Sequence, residues 1–169
     1  MREIAPPDIA WKRKYFRYTF EDGGRVPPRV DCYGLIMAAY DIELAIKPTE
    51  WPMLTLDAIT AAGGDLLEAR FTTDFVPVEM GFELPFDVAV IEKVLPVDGK
   101  LKRGPWHVGL VTGPSHLLHI DMYTGVVELA FRDTPTSKAH VTCREKHVKL
   151  FRHRQMVEQA ARMQAGVAA

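Results

Sequence analysis

The stretch "RVDCYGLIMAAY", Arg29 to Tyr40, marks the start of a helix and places one of the chain's two cysteines at that start. From this cysteine onward, apolar residues recur at i, i+3, i+4, i+7 and i+8, the period of a helix with one buried face. These positions are Cys32, Leu35, Ile36, Ala39 and Tyr40. Asp31, directly before them, is a favourable N-cap. We predict a helix from Cys32 to about Ile46.

A cysteine in the first turn of a helix lies near unpaired backbone N–H groups and the positive end of the helix dipole, which favour the thiolate. Thiols at such places have pKa values lowered to about 3.5–7.5. The same N–H groups can also hold the oxyanion of a tetrahedral intermediate. Gly34 costs the helix up to about 1 kcal/mol relative to Ala, which indicates a close approach there. Cys32 is therefore either a nucleophile or a residue that only packs.

Two histidines could serve this cysteine, because a nucleophilic thiol needs a base that a third polar group orients. His107 opens the segment "WHVGLVTG", and His119 lies in "LLHID". If these segments form a hairpin with its turn centred on Gly113–Ser115, His107 falls opposite Asp121 and diagonal to His119 on one face. A register slip of one residue would separate them.

The remaining pattern predicts a single α+β domain. Residues 1–30 are mostly turn-rich, as in "EDGGRVPP", and a second helical piece runs from about Thr55 to Arg70. Short strands joined by turns then follow at Asp87–Val94, Trp106–Thr112, Leu117–Asp121, Val126–Phe131 and Lys146–Arg152. We expect helices packed on a mainly antiparallel sheet of five to six strands over residues 1–152, with a helical tail over residues 153–169.

Composition excludes several classes of protein. The 169 residues are 47% hydrophobic and 25% charged, which is typical of a globular domain. A net charge of −1 without a basic stripe argues against nucleic acid as a partner. No apolar run approaches the roughly 20 residues of a membrane span. The opening "MREIAPPDIAWKRKYF" has charges and prolines in place of an apolar signal, so we expect no export signal and two reduced cysteines.

Taken together, these motifs resemble the NlpC/P60 family of papain-like cysteine peptidases. The D-C-x-G-L nucleophile motif of that family is matched from Asp31 to Leu35. Its H-V-G-[IL] base motif is matched from His107, and His119 with Ile120 resembles the third polar residue. The segment "PFDVAVI", which starts at Pro85, resembles the P-x-D-[VL] strand between nucleophile and base. The resemblance runs in order from about residue 11 to residue 152.

The resemblance implies a papain-like fold and a reaction. Cys32 would attack a peptide carbonyl, His107 would take and return the proton, and His119 would orient His107. The implied substrate is the stem peptide of bacterial peptidoglycan, cut next to a D-glutamyl residue. No cofactor and no metal are implied.

Substrate contacts follow the family pattern less closely. Tyr33 replaces the serine that commonly follows the cysteine, and Phe20 stands where the family has a tyrosine. Tyr18 could supply that hydroxyl, although a core or surface tyrosine is the alternative. Asp31 would help bind the substrate's amino end. The expected substrate-binding residues are Asp31, Tyr18 and Tyr33.

The D-C-[WY]-G-L variant, the compact domain and the expected lack of an export signal resemble the subgroup found in tails of double-stranded DNA phages and gene transfer agents. That resemblance implies a protein made in the host cytoplasm and carried at a virion tail tip or hub. Other tail or hub proteins would be its partners. It would act at the bacterial cell wall or periplasm.

Two rival interpretations stay open at this point. The segment "HVTCREKH" spaces His140, Cys143 and His147 plausibly for zinc, with His116 completing a set. Alternatively, the chain could be a structural or adaptor component of a tail that keeps the fold without catalysis. The presence of thiol, base and orienter together favours an enzyme.

Overall fold

A computed structural model describes residues 9–50, 55, 57–58, 73–141 and 144–164 of the chain. It begins with a 3-10 helix, Ile9–Arg17, where the sequence predicted mostly loop. Three strands of two residues each then form a small sheet in the order β1-β3-β2. They are β1 (Thr19–Phe20), β2 (Arg25–Val26) and β3 (Arg29–Val30).

Helix α1 covers Cys32–Ala39 and continues as one π-helical turn, Tyr40–Leu44. The left-handed backbone of Ala45, with φ 53°, ends this turn. The predicted helix from Cys32 to about Ile46 is therefore confirmed in extent, with a looser last turn. The predicted second helix at residues 55–70 lies almost entirely outside the described residues.

A six-stranded sheet forms the centre of the molecule, in the order β4-β9-β5-β6-β7-β8, and every neighbouring pair is antiparallel. Its strands are β4 (Phe75–Val78), β5 (Val88–Val97), β6 (Lys100–Gly113), β7 (His116–Asp121), β8 (Gly125–Ala130) and β9 (Val148–His153). Helix α2, Arg154–Gln164, follows β9 directly. The expected α+β architecture with a mainly antiparallel sheet is observed. No helix among the described residues is long and apolar enough to span a membrane.

The sheet buries apolar side chains on both faces, as alternation along its strands requires. One face packs against the buried side of α1, which carries Leu35, Ile36 and Ala39. The sheet residues of this cluster include Val88, Val90, Val108, Leu110, Leu118 and Ile120. The other face holds a second cluster around Phe131, with Ala89, Ile91, Val111, Leu117, Val148 and Leu150. Burial on both sides fixes the strand register, since a slip of one residue would exchange the two faces.

Three differences from the predicted strands have local causes. The β5–β6 hairpin is longer than expected because Asp98 and Gly99 both have positive φ, 50° and 75°, and form a tight two-residue turn. Strand β4 was not predicted, because it contains Pro77 and proline is uncommon inside strands. A sheet tolerates proline at its edge, and β4 is an edge strand. The last strand starts at Val148, after a short 3-10 helix, Glu145–His147.

Candidate active site

Cys32 is the first residue of α1, and Asp31 caps the helix as predicted. The Asp31 Oδ1 atom accepts a hydrogen bond of 2.7 Å from the backbone N–H of Gly34. Its Oδ2 atom forms an ion pair with Arg25, and both side chains are almost fully buried. This capping and pairing hold the first turn of the helix, and with it the thiol, in one position.

Gly34 explains how the first turn of α1 fits against the chain that precedes it. A Cβ at this position would overlap the carbonyl oxygen of Gly24 and press on the Val30 side chain. The loop before β2 therefore touches the helix backbone directly. The close approach predicted at this glycine is confirmed, and its partner is the protein's own chain.

A cavity of about 680 Å³ is lined by residues of strands β5, β6, β7 and β8 and by Asp31 and Cys32 at the start of α1. Cys32, His107 and His119 all line it. Cys32 is a free thiol of intermediate exposure, so it is not sealed in the interior. The structure therefore brings the three predicted catalytic residues to one cavity.

The surroundings of the thiol differ from the expectation of a lowered pKa. Desolvation is the largest influence, and together with the neighbouring Asp31 carboxylate it raises the pKa of Cys32 to about 12. Hydrogen bonding to the backbone N–H groups of Val108 and Tyr33 opposes this shift, as does the Arg25 charge. The raised pKa favours the thiol form of Cys32. The Val108 contact also places it beside the residue that follows His107 in β6.

The two histidines are held in direct contact by the β6–β7 hairpin. Leu110 pairs with Leu118, and continuing this register places His107 opposite Asp121 as predicted. The Nε2 atom of His107 lies 2.8 Å from the Nδ1 atom of His119, with the rings edge to face. For Nδ1 of His107 to accept a proton, its Nε2–H must donate to His119. This contact would thus fix the orientation of the His107 ring and keep its proton on Nε2, which leaves Nδ1 free to act as a base.

Burial keeps the imidazole of His107 neutral. Desolvation, with a smaller contribution from His119, lowers the pKa of His107 to about 3. The pKa of His119 is also lowered, again chiefly by desolvation and against the opposing charge of Asp121. A general base must be neutral before it accepts a proton, and His107 meets this requirement in the cavity that also contains Cys32.

His119 contacts the base, whereas the other possible orienting residue, Asp121, is engaged elsewhere. The Asp121 Oδ1 atom accepts hydrogen bonds from the backbone N–H groups of Tyr123 and Thr124, at 2.8 and 3.2 Å. These bonds are the main reason that the pKa of Asp121 is lowered. Asp121 shapes the β7–β8 turn and influences the histidines through its charge.

The predicted substrate-binding residues separate into two groups. Asp31 lines the cavity, although both of its oxygens already have partners. Tyr33 is buried in the core, and its hydroxyl donates to the Thr49 carbonyl oxygen at 2.8 Å. Tyr18 packs edge to face on Tyr15. Neither tyrosine lines the cavity, whereas Phe20 does.

Histidines of the possible zinc set do not form a metal site among the described residues. His140 and His147 line the cavity, but His147 Nδ1 contacts Arg103 at 2.9 Å. His116 contacts the Pro114 carbonyl oxygen at 3.0 Å. No group of three or more metal-binding side chains occurs in the described parts of the chain. Cys143 lies outside them.

Trp106 is a site residue that the sequence pattern did not single out. Ile91 pairs with His107 and Glu92 with Pro105, so Trp106 is an extra residue in β6. Such a bulge changes the direction of a side chain. Both Trp106 and His107 therefore line the cavity, with ring centroids 5.3 Å apart. The only feature of the sequence that could have pointed to Trp106 as a site residue is its position directly before His107.

Similarity to known proteins is confined to solved structures. No protein-family model matches the sequence, and no curated protein matches it. Thirteen chains of solved structures match. One is the NlpC/p60 domain of peptidoglycan hydrolase SagA, with 16% sequence identity and a TM-score of 0.44, over 72% of this chain and 85% of that chain.

Proposed function

We propose that the protein is a cysteine peptidase that hydrolyses the stem peptide of peptidoglycan at a D-glutamyl-linked bond. The observation that carries this proposal is the 2.8 Å contact between His107 and His119 in the cavity that also contains Cys32. An oriented histidine and a thiol at a helix N-terminus form the arrangement that acyl transfer requires. The choice of substrate rests on the sequence resemblance to NlpC/P60 peptidases.

The proposed reaction has two halves. His107 takes the Cys32 proton on Nδ1 as the sulfur attacks the scissile carbonyl, and it then gives that proton to the leaving amine. Water hydrolyses the resulting thioester with His107 again as the base. Backbone N–H groups at the start of α1 would stabilise the oxyanion. His119 keeps the His107 ring in the required tautomer throughout.

Hydrolysis of a synthetic stem peptide, followed by mass spectrometry of the fragments, tests this function. We expect wild type to cut beside the D-glutamyl residue and Cys32→Ala to be inactive. Cys143→Ala removes the chain's other cysteine and serves as the matched control, with activity retained. Equal activity of wild type and Cys32→Ala would exclude the proposed nucleophile, and an intact peptide with both would favour the adaptor interpretation.

We further propose that the chain works on a phage tail or gene-transfer-agent tail, with tail or hub proteins as partners. The support is the D-C-Y-G-L form of the nucleophile motif. In this setting the protein would reach the cell wall as part of the particle and open it during DNA delivery. Proteomics of purified particles from a producing strain tests the proposal, and absence of the chain from intact particles would contradict it.

A further inference from the structure

Arg25 forms a buried ion pair with the carboxylate that caps helix α1. Its Nη1 atom pairs with the Oδ2 atom of Asp31, and the two side chains are only 9% and 4% exposed. The same Nη1 atom donates to the Gly24 carbonyl oxygen at 2.9 Å. The guanidinium also lies over the Tyr33 ring, with its Cζ atom 5.6 Å from the ring centroid. Three separate contacts therefore hold this cation against Asp31.

The ion pair lies next to the proposed nucleophile. Asp31 directly precedes Cys32, and both residues line the cavity, whereas Arg25 does not. The Oδ1 atom of Asp31 accepts the backbone N–H of Gly34 at 2.7 Å. One oxygen of the carboxylate is thus used by the helix and the other by a cation of the protein itself. A cation of the substrate would have to share one of these oxygens.

Asp31 therefore offers little to a charged amino end of the substrate. The sequence resemblance implies that this end lies near Asp31, where a carboxylate would attract a free ammonium group. The charge of Asp31 is already balanced by Arg25, and a second cation beside the guanidinium would be repelled. Burying an ammonium group without a carboxylate of its own is unfavourable. An amide at the same position carries no charge and needs no counter-ion.

We infer that Arg25 takes the place of a substrate ammonium group on Asp31, so that the enzyme accepts stem peptides whose amino end is blocked by an amide bond. This inference rests on the proposed function. In the cell wall the stem peptide is joined to the glycan through an amide at its amino end, and an enzyme that opens the wall meets it in this form. The Arg25–Asp31 pair thus takes part in substrate selection as well as in helix capping.

Two synthetic stem peptides that differ only at the amino end test the inference. One has a free amine, and the other is acetylated there. We expect the kcat/KM values of wild type for the two peptides to lie within about threefold of each other, or to favour the acetylated peptide. A larger preference for the free amine would overturn the inference, because Asp31 would then be available to an ammonium group.

Arg25→Met tests whether the ion pair is the cause. Without the guanidinium, the Asp31 carboxylate could bind the ammonium group of the substrate. We expect this variant to prefer the free amine about tenfold or more, as one charge-assisted hydrogen bond implies. Adding Asp31→Asn keeps a side chain that caps helices well and should abolish the preference. A folded Arg25→Met variant without any preference would overturn the inference, and if this variant does not fold, the wild-type comparison decides.

Arg29→Met is the matched control, because Arg29 is an exposed arginine of the same small sheet and pairs with Glu21. This variant should treat the two peptides as wild type does. If wild type cuts neither peptide, the proposed function fails. Calorimetric binding of both peptides to Cys32→Ala then decides the inference, and stronger binding of the free amine would exclude it.

Discussion

At the scale of single residues, the site consists of two groups that burial keeps uncharged. The thiol of Cys32 has its pKa raised to about 12, and the imidazole of His107 has its pKa lowered to about 3. The position at a helix N-terminus predicts the opposite direction for the thiol. Desolvation and the Asp31 carboxylate outweigh the backbone N–H groups of Val108 and Tyr33 and the charge of Arg25. The desolvation depends on how the helix packs, which sequence spacing does not reveal.

The charge state of Cys32 can be measured by alkylation. Because its pKa lies far above neutrality, the thiolate fraction should rise about tenfold per pH unit. We expect the rate of reaction with iodoacetamide to increase continuously from about pH 6 to pH 9. A Cys143→Ala background leaves one thiol, and peptide mass spectrometry gives the rate. A plateau reached near neutral pH would instead indicate a thiolate–imidazolium pair and contradict a neutral resting state.

His119 acts through His107, and its replacement should lower kcat more than it raises KM. His119→Leu removes the acceptor for the His107 Nε2–H. Because His107 would no longer be held in one orientation, we expect kcat to fall about a hundredfold. Asp121→Asn, which keeps an oxygen for the β7–β8 turn, is the matched comparison and should stay close to wild type. A larger loss in Asp121→Asn than in His119→Leu would make Asp121 the orienting residue.

At the scale of elements, turn chemistry and alternation predicted the hairpin that carries both histidines. A turn centred on residue 114 implies the pairing of Leu110 with Leu118 that is observed, although the structure reaches this pairing through an unpredicted bulge between Val111 and Gly113. The bulge at Trp106 could not be predicted, because it depends on how the long partner strand β5 pairs with β6. Tyr18 and Tyr33 were assigned by resemblance, and packing places both away from the cavity.

At Gly34 the backbone of helix α1 lies in direct contact with the loop that precedes β2. Gly34→Ala would add a Cβ that overlaps the Gly24 carbonyl oxygen, and backbone cannot move aside as a flexible side chain can. We expect a loss of about 1–3 kcal/mol in the free energy of unfolding, measured in urea. The difference in alkylation rate between Cys32 and Cys143 should also become smaller. Gly113→Ala adds a Cβ with no atom within 4 Å and is the control. Equal stability of the two variants would contradict the close contact.

At the scale of the whole molecule, buried histidines make stability depend on pH. A folded-state pKa below the unfolded value contributes stability that is present above about pH 6.5 and is lost as pH falls toward the folded pKa. His107, His119 and His153 all have lowered pKa values. Each of them is neutral in the native protein at pH 7 and must take up a proton in acid.

Urea unfolding at several pH values tests this linkage. The free energy of unfolding of wild type should fall between about pH 6.5 and pH 4. His107→Phe removes one group and should reduce that slope by up to about 1.4 kcal/mol per pH unit. Lys100→Met, on the same hairpin, should leave the slope unchanged. An identical slope in wild type and His107→Phe would mean that His107 titrates normally in the folded protein.

Trapping a covalent intermediate on Cys32 tests directly whether this sulfur attacks the substrate. An activated ester of the acyl half of the stem peptide, mixed with enzyme and quenched in acid, should leave a thioester. We expect a mass increase equal to that acyl group on the proteolytic fragment that contains Cys32, and no adduct in His107→Phe. Acylation at Cys143 or elsewhere, with Cys32 unmodified during turnover, would contradict it.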